Sequence, residues 1–417
     1  MRILVIPLAS RLHGEEYYTS LMNVYRKCLE GYNGVTIYDN VVTSINELNI
    51  NYKSFDLLLL IHLTGGTSKL AKRIIAESHK PAILVTHGRH NSLPSALSAK
   101  AWLVQRGYKV RILYSDEPNS LCRVFNPVYR GLLAGYNLSK LRVLEINENG
   151  ALSDDAKKFI DATGALVKAI GYEEIIQIGQ KASDNELREL YNHVSKYIDL
   201  SSIDRESLYK ALRIYYAIRK IIVEGVFNAV SIDCFPLVMK YKITPCLAVA
   251  MLNNDGIPMA CEDDFYSLVF LAVSPILTSE PGWIFNPSGL TYEGYVKFAH
   301  CTIAPRLGNN CMLVSHFESG YPYAVTCKMK HREYALLRLS LDYKKLYVFK
   351  ARNIRSGLLE PGLCRTQLIA DLGDYGGEKF IELAQGNHHV AVPWINGLDE
   401  MLKVLSWWMN WELTMYG

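Results

Sequence analysis

A short apolar run, Pro258-Met259-Ala260-Cys261, leads straight into three carboxylates, Glu262-Asp263-Asp264. Carboxylates at a strand end suit two kinds of chemistry: they bind hard divalent cations through oxygen, and when crowded they hold one acid at a raised pKa beside another. Glu262, still on the strand side, is the candidate metal ligand and acid–base group, and Asp263 is the candidate second catalytic carboxylate. Asp263 or Asp264 is equally placed to cap the helix that follows. A second element is Gln385-Gly386-Asn387-His388-His389-Val390, where histidines beside a glycine open an apolar strand. Such imidazoles serve as metal ligands or proton carriers. Neighbours on a strand point to opposite faces, so only one of His388 and His389 can serve a given site. His300, in Phe298-Ala299-His300-Cys301-Thr302-Ile303, is a third candidate, although a lone strand histidine is more often a satisfied core residue. Thr64-Gly65-Gly66-Thr67 has the composition of a phosphate cradle at a helix start. It lacks the spacing of a Walker loop and of the dinucleotide fingerprint, and so reads as a plain strand-to-helix turn with no support for NAD chemistry.

These residues need a scaffold that brings strand ends together. Buried-strand patterns at Arg2–Pro7, Asp56–Leu63, Pro81–Thr86 and Lys109–Tyr114, with Val35–Tyr38 as a weaker one, alternate with helical stretches near Glu15–Glu30, Ser68–Glu77 and Asn91–Arg106. That alternation implies parallel βαβ units in a doubly wound layer. A second alternation begins at Leu141–Ile146 and continues with a helix over Asp154–Ile170 and a strand over Glu174–Gly179. Helices near Asp184–Tyr197 and Arg205–Glu224 follow, then a strand over Val226–Ile232, a helical stretch at Pro245–Leu252, the short strand at Pro258–Cys261 and a long apolar helix over Asp263–Leu277. After Glu280 the helical period disappears. Strand-like segments at Trp283–Phe285, Tyr295–Ile303, Cys311–Phe317, Tyr323–Lys330, Tyr334–Leu341 and Lys345–Ala351 are separated by turn residues, and a helix at Leu398–Trp411 closes the chain. The fold class expected is α/β: two doubly wound, Rossmann-like α/β domains (1–139 and 140–279), then a β-rich, antiparallel, barrel-like domain (280–417). Ligands of parallel sheets sit beyond the carboxyl ends of the strands, which singles out Thr64–Thr67, His87–Asn91, Asp233–Phe235 and Glu262–Asp264.

Composition narrows the partners. The 417 residues are 49% hydrophobic and 21% charged, as in ordinary globular proteins. A net charge of +4, from 45 Lys and Arg against 41 Asp and Glu, gives no reason to expect nucleic acid or an anionic membrane. The opening MRILVIPL lacks the basic start, long apolar stretch and small-residue cleavage site of a secretory signal. The longest apolar stretches fall short of the roughly 20 residues needed to span a bilayer. Nine scattered cysteines without a CxxC pair read as reduced, buried side chains in a cytoplasmic protein, with a zinc site or disulfide framework as the lesser alternative. The Trp407-Trp408-Met409-Asn410-Trp411 tail suits a core or subunit contact better than a ligand site.

Three segments, in this order and spacing, resemble the L-fucose/L-arabinose isomerase superfamily, in particular its short prokaryotic and archaeal members. They are Cys234-Phe235-Pro236 with Thr244-Pro245-Cys246-Leu247-Ala248 and Leu252 through Glu262; Phe285-Asn286-Pro287-Ser288 with Ala299-His300-Cys301-Thr302-Ile303; and Gly386-Asn387-His388-His389-Val390. The resemblance implies two α/β domains followed by a β-rich one, a homo-oligomer, and aldose–ketose isomerisation through an enediol. It also implies a divalent cation, usually manganese, held by a glutamate, an aspartate and a histidine. Glu262 matches the glutamate, also an acid–base group, and His388 matches the histidine, with Asn387 beside it as a sugar contact. Asn286 stands where the family has its aspartate; an amide oxygen can ligate but is neutral and a poor base. Asp263 or Asp264 would then have to substitute. Asn286, Asn387, Cys234 and His300 are the expected contacts to a small sugar. Loss of the aspartate also leaves open a divergent protein that binds a sugar, or serves as a scaffold, without turnover.

Overall fold

The computed structural model describes residues 1–417, the side chain of Tyr375 apart. Five strands, β1 (Ile3–Leu8), β2 (Val35–Ile37), β3 (Leu57–His62), β4 (Ala82–His87) and β5 (Val110–Ser115), form a parallel sheet in the order β2-β1-β3-β4-β5. Every residue of β1, β3 and β4 is buried, which explains their unbroken apolar runs: helices cover both faces of a parallel sheet. A second parallel sheet, in the order β7-β6-β8-β9, is built from β6 (Arg142–Asn147), β7 (Leu166–Gly171), β8 (Ala229–Ile232) and β9 (Met259–Cys261).

Here the chain departs from two expected elements. The helix anticipated over Asp154–Ile170 stops at Thr163, because Gly164 takes the left-handed conformation (φ 75°) that ends it. The chain then turns directly into β7. The strand anticipated at Glu174–Gly179 is a helix, Tyr172–Gln180, whose buried residues Tyr172, Ile175 and Gly179 follow helical spacing. The helix Leu121–Leu138 had no counterpart in the sequence reading, its pattern interrupted by Pro127.

Nine further strands follow: β10 (Trp283–Leu290), β11 (Val296–His300), β12 (Gly308–Val314), β13 (Ala324–Met329), β14 (Glu333–Leu339), β15 (Lys345–Gly357), β16 (Thr366–Asp371), β17 (His389–Pro393) and β18 (Glu412–Tyr416). Six of them close an antiparallel barrel, β14-β17-β10-β11-β16-β15, with β15 pairing back onto β14. Closure removes the open edges that exposed strands would otherwise offer. β12 and β13 make a separate hairpin, and β18 joins β15 in parallel. A helix at Gly376–Leu383 interrupts this β-rich region, where none was expected: its Gly376-Gly377 start reads as a turn in sequence.

The chain comprises two compact units, Met1–Tyr129 and Arg130–Gly417. The second sheet and the barrel share one apolar core. The helix Phe265–Thr278, which connects β9 to β10, is buried nearly all round. It therefore packs on both sides: Phe265 meets Phe159, and Phe270 meets Trp411 of the tail. The change of character near residue 280 is thus a change of sheet type within one core.

Four of the nine cysteines, expected to be reduced, are instead paired. Cys28 and Cys122 join two helices of the first unit, and Cys311 and Cys327 bridge β12 and β13. Their Cα atoms are 4.6 and 4.2 Å apart, close enough for a bridge, a proximity that sequence spacing does not reveal. Among the described residues, no helix is long and apolar enough to cross a membrane.

Candidate metal centre

The site is assembled where β9, β11, β14 and β17 end or begin. After Cys261 the chain makes a tight turn in which Glu262 and Asp263 both adopt left-handed backbone conformations, φ 57° and 51°. Side chains with a Cβ rarely take up such angles, and consecutive ones persist only where the surroundings impose them. The turn sends the two carboxylates different ways and delivers Asp264 to the start of the next helix. There Asp264 is the N-cap, accepting hydrogen bonds from the Ser267 amide (3.0 Å) and hydroxyl (2.7 Å). The same carboxylate accepts from His388 Nδ1 at 2.9 Å and from the Arg338 guanidinium at 3.4 Å. Asp264, Arg338 and His388 are all buried.

His388, at the mouth of β17, lies between two carboxylates. Its Nδ1 faces Asp264, and its Nε2 is 3.2 Å from Glu262 Oε2. His389 turns the opposite way, its ring between Phe285 and Phe380. His300, at the end of β11, lies edge-on to His388 with ring centroids 5.4 Å apart. Glu262, His300 and His388 each offer a ligand atom, and all three atoms lie within 4.8 Å of one another.

Electrostatics reinforce this geometry. Burial alone would lower the His388 pKa, but its hydrogen bonds to Asp264 and Glu262 outweigh it and raise the value to about 9. Burial alone would raise Asp264; the bond from His388 and the Arg338 charge instead hold it down at about 2. Glu262 is also lowered, burial being overcome chiefly by His388. His300 is pushed down to about 4 by burial and by the charge of His388, so it is neutral at physiological pH. Without a bound cation, His388 is therefore an imidazolium clamped by two carboxylates.

The residues fit a divalent cation on an independent ground. His300 Nδ1 is buried and has no hydrogen-bond partner. Buried polar atoms are rarely left so, and a lone pair facing a carboxylate is what a metal ion would satisfy. Glu262 is the exposed edge of the group, with 23% of its side chain accessible. It borders a narrow pocket of about 10 Å³ walled by Phe235, Val238, Val249, His316 and the thiols of Cys234, Cys246 and Cys301.

The other anticipated residues are distributed as follows. Cys234 lines that cavity. Asn286, on β10, is paired with Ala299, the residue before His300; its Oδ1 is buried and without a partner. Asn387 is exposed beside His388. Asp263 does not join the group. It accepts from Ser231 Oγ at 3.0 Å and faces the fully buried Glu145 of β6, and burial together with that second carboxylate raises its pKa. The carboxylate beside His388 is Asp264, which the sequence left as either a helix cap or, with Asp263, a substitute for the aspartate. Arg338 was missed altogether. Its signal was a single charge inside the apolar strand Tyr334-Ala335-Leu336-Leu337-Arg338-Leu339, since an arginine is almost never fully buried unless paired. The Thr64–Thr67 turn is filled by protein: a Cβ on Gly65 would lie 2.7 Å from Asn91 Cβ, and one on Gly66 3.1 Å from Ser10 Cβ. Its glycines permit close packing.

The chain matches no described protein family and no curated protein. Function has to be argued from the site itself.

Gly386 supplies a first test of how tightly the site is packed. Its φ is +82°, and a Cβ there would come within 2.8 Å of Arg338 Nη2. Gly386→Ala is expected to cost about 1–3 kcal/mol, from backbone strain and displacement of the guanidinium, read as a lowered urea midpoint. An unchanged midpoint would show that the Arg338–Asp264 pair is loosely held.

Proposed function

We propose that the chain is a metal-dependent aldose–ketose isomerase acting on a small sugar through an enediol. The observation that carries this reading is the meeting of Glu262 and His388. The two residues come from elements far apart in the sequence, both are singled out by the motifs resembling the fucose/arabinose isomerases, and they face each other at 3.2 Å. In this reading Glu262 moves the proton between C1 and C2. It is the one member of the cluster with access to the cavity, and its neighbour His388 keeps it ionised and ready to accept a proton. Asp264, anchored by Arg338 and by the helix start, fixes the orientation of His388. Asn286 offers a buried, unpartnered oxygen to a substrate hydroxyl. When bound, a divalent cation supplies Lewis-acid polarisation of the carbonyl and hydroxyl oxygens. Working in the cytoplasm as a homo-oligomer belongs to the same proposal.

The test is ketose formation from a panel of aldoses, measured on the full chain with manganese, cobalt or zinc added. Glu262→Gln is expected to lower turnover by roughly 10²–10⁴-fold, the contribution typical of a positioned acid–base group, in a chain whose circular dichroism shows that it still folds. Undiminished turnover in that variant would remove Glu262 from the mechanism. A second reading is favoured by one observation, the neutral Asn286 at the position of the family's aspartate. On that reading, sugars bind and none is converted with any cation.

A further inference from the structure

Five cysteines are unpaired: Cys234, Cys246, Cys261, Cys301 and Cys364. The first four wall the narrow pocket that Glu262 borders. Cys364 packs against Cys246 and Cys301 from the loop between β15 and β16, and its Sγ lies 4.0 Å from Cys301 Sγ. Cys301, directly after β11, is buried, whereas Cys364 is partly exposed. The fold holds the two sulfurs face to face. The buried side chain of Gln367 accepts from the amides of Leu359 and Glu360 and donates to the carbonyls of Glu360 and Cys364. Arg365 is tied to the Ser315 carbonyl at 2.8 Å. A disulfide needs the sulfurs about 2 Å apart, so the gap must close by about 2 Å. Cys364 lies outside any helix or strand and has the freedom to close it. Cys246 opens a helix, Cys246–Asn254, that is buried throughout, and has none. His316 completes the group. The Ser319 amide donates to its Nδ1 at 3.3 Å, which leaves the proton of the neutral ring on Nε2, 3.2 Å from Cys301 Sγ. That N–H favours negative charge on the Cys301 sulfur.

We propose that Cys301 and Cys364 form a redox-active dithiol, which a small-molecule disulfide of the glutathione class converts into a reversible third disulfide. Cys364, the exposed member, attacks first. Its sulfur bonds to one sulfur of the reagent, the reagent's S–S bond breaks, and the other half leaves as a thiol with the proton Cys364 gave up. Cys301 then attacks the Cys364 sulfur, the mixed disulfide breaks, and the second half leaves as a thiol with the proton of Cys301. The two protein thiols lose two electrons and the reagent gains them. Closure is favoured because the fold holds the second thiol at a high effective concentration. The rate is another matter. The hydrogen bond with Cys246 and burial raise the Cys301 pKa, and the contact with Cys301 and burial raise that of Cys364. Thiolates are therefore scarce, and exchange falls at the slow end of the seconds-to-hours range. Oxidation draws the Cys301 sulfur away from His316 and ties the Cys364 loop to the end of β11, beside His300. The wall of the pocket thus changes with redox state, whatever reaction the site performs.

The test reads the covalent bond itself and needs neither metal nor turnover. The full chain is brought to equilibrium in buffers of varied reduced-to-oxidised glutathione ratio, its thiols are trapped with a maleimide, and the digested peptides are identified by mass. The expected product under oxidising ratios is one linked pair of peptides carrying Cys301 and Cys364, replaced by two maleimide adducts when reduced glutathione is in excess. In Cys301→Ser the second attack is lost, and Cys364 keeps a glutathione adduct. In Cys364→Ser the buried Cys301 stays a thiol. Circular dichroism checks that both variants fold, and the result on the unsubstituted chain requires neither. Free thiols at both positions under the most oxidising ratio would overturn the proposal, as would a glutathione adduct on Cys364 that never resolves or a link from Cys301 to Cys246. A link that survives excess reduced glutathione would overturn it too, since the bond would then be a fixed structural one.

Discussion

Asp264→Ala is expected to destabilise the folded chain by about 3–5 kcal/mol, the scale observed when one partner of a buried ion pair is removed. Asp264 has three tasks. It caps the helix Phe265–Thr278 through Ser267, it balances Arg338, and it receives the Nδ1 proton of His388. The cap contributes about 1 kcal/mol. The charges decide the rest, because Arg338 and His388 are 4% and 2% exposed and have little water to turn to. Arg338 Nε already lacks a hydrogen-bond partner, and the guanidinium rests 4.9 Å over the Tyr266 ring. That contact cannot replace a counter-ion. Two further variants separate the contributions in urea unfolding. Asp264→Asn keeps a good capping side chain and loses the charge, so it should recover only the cap. Asp264→Asn combined with Arg338→Met removes both charges of the pair and should be more stable than the two single losses added together. If Asp264→Asn unfolds with the parent, the carboxylate matters as a cap alone.

The division between what the sequence disclosed and what it hid follows the range of the interactions involved. Strands such as Leu57–His62 and Ala82–His87 were readable because burial on both faces leaves an unbroken apolar run. The antiparallel character after residue 280 was readable from turn residues at strand-length intervals. The second sheet misled where a local stop signal was overlooked: Gly164 ends one helix early, and everything to Gln180 shifts with it. In the site, Glu262 and His388 were identified from strand-end position and motif. Which of the two aspartates stands beside His388 was not legible, because the left-handed turn at Glu262–Asp263 is imposed by the packing around it. Nor was Arg338, whose partner lies 74 residues away in sequence. His300 was weighed as a core histidine or a sugar contact. It is indeed buried, and only the approach of β11 to β9 and β17 turns a buried histidine into a candidate ligand.

The pH dependence of stability gives the second large effect, and a handle on the same cluster without substrate. In the chelator-treated protein the His388 pKa rises from 6.5 to about 9 on folding. A group whose pKa is higher in the folded state binds its proton more tightly there. It therefore adds stability that is complete below pH 6.5, declines as the pH climbs, and is gone above about 9. A rise of that size corresponds to on the order of 3 kcal/mol. Asp264 has the opposite sign: its pKa is lowered to about 2, so its contribution holds above the ordinary carboxylate range and is lost only as the pH falls towards 2. The expected result is a fall in unfolding free energy between pH 6.5 and 9, absent in His388→Gln, and a separate loss in strong acid that His388→Gln moves to higher pH. A flat profile across pH 6.5–9 would mean that His388 is neutral in the folded chain. Added cation should reverse the slope, since a metal ion on Nε2 displaces the proton held between His388 and Glu262. Affinity should then climb with pH in the window where metal-free stability declines. Because proton and cation compete for one nitrogen, a cation that bound elsewhere on the chain would leave the metal-free slope as it was.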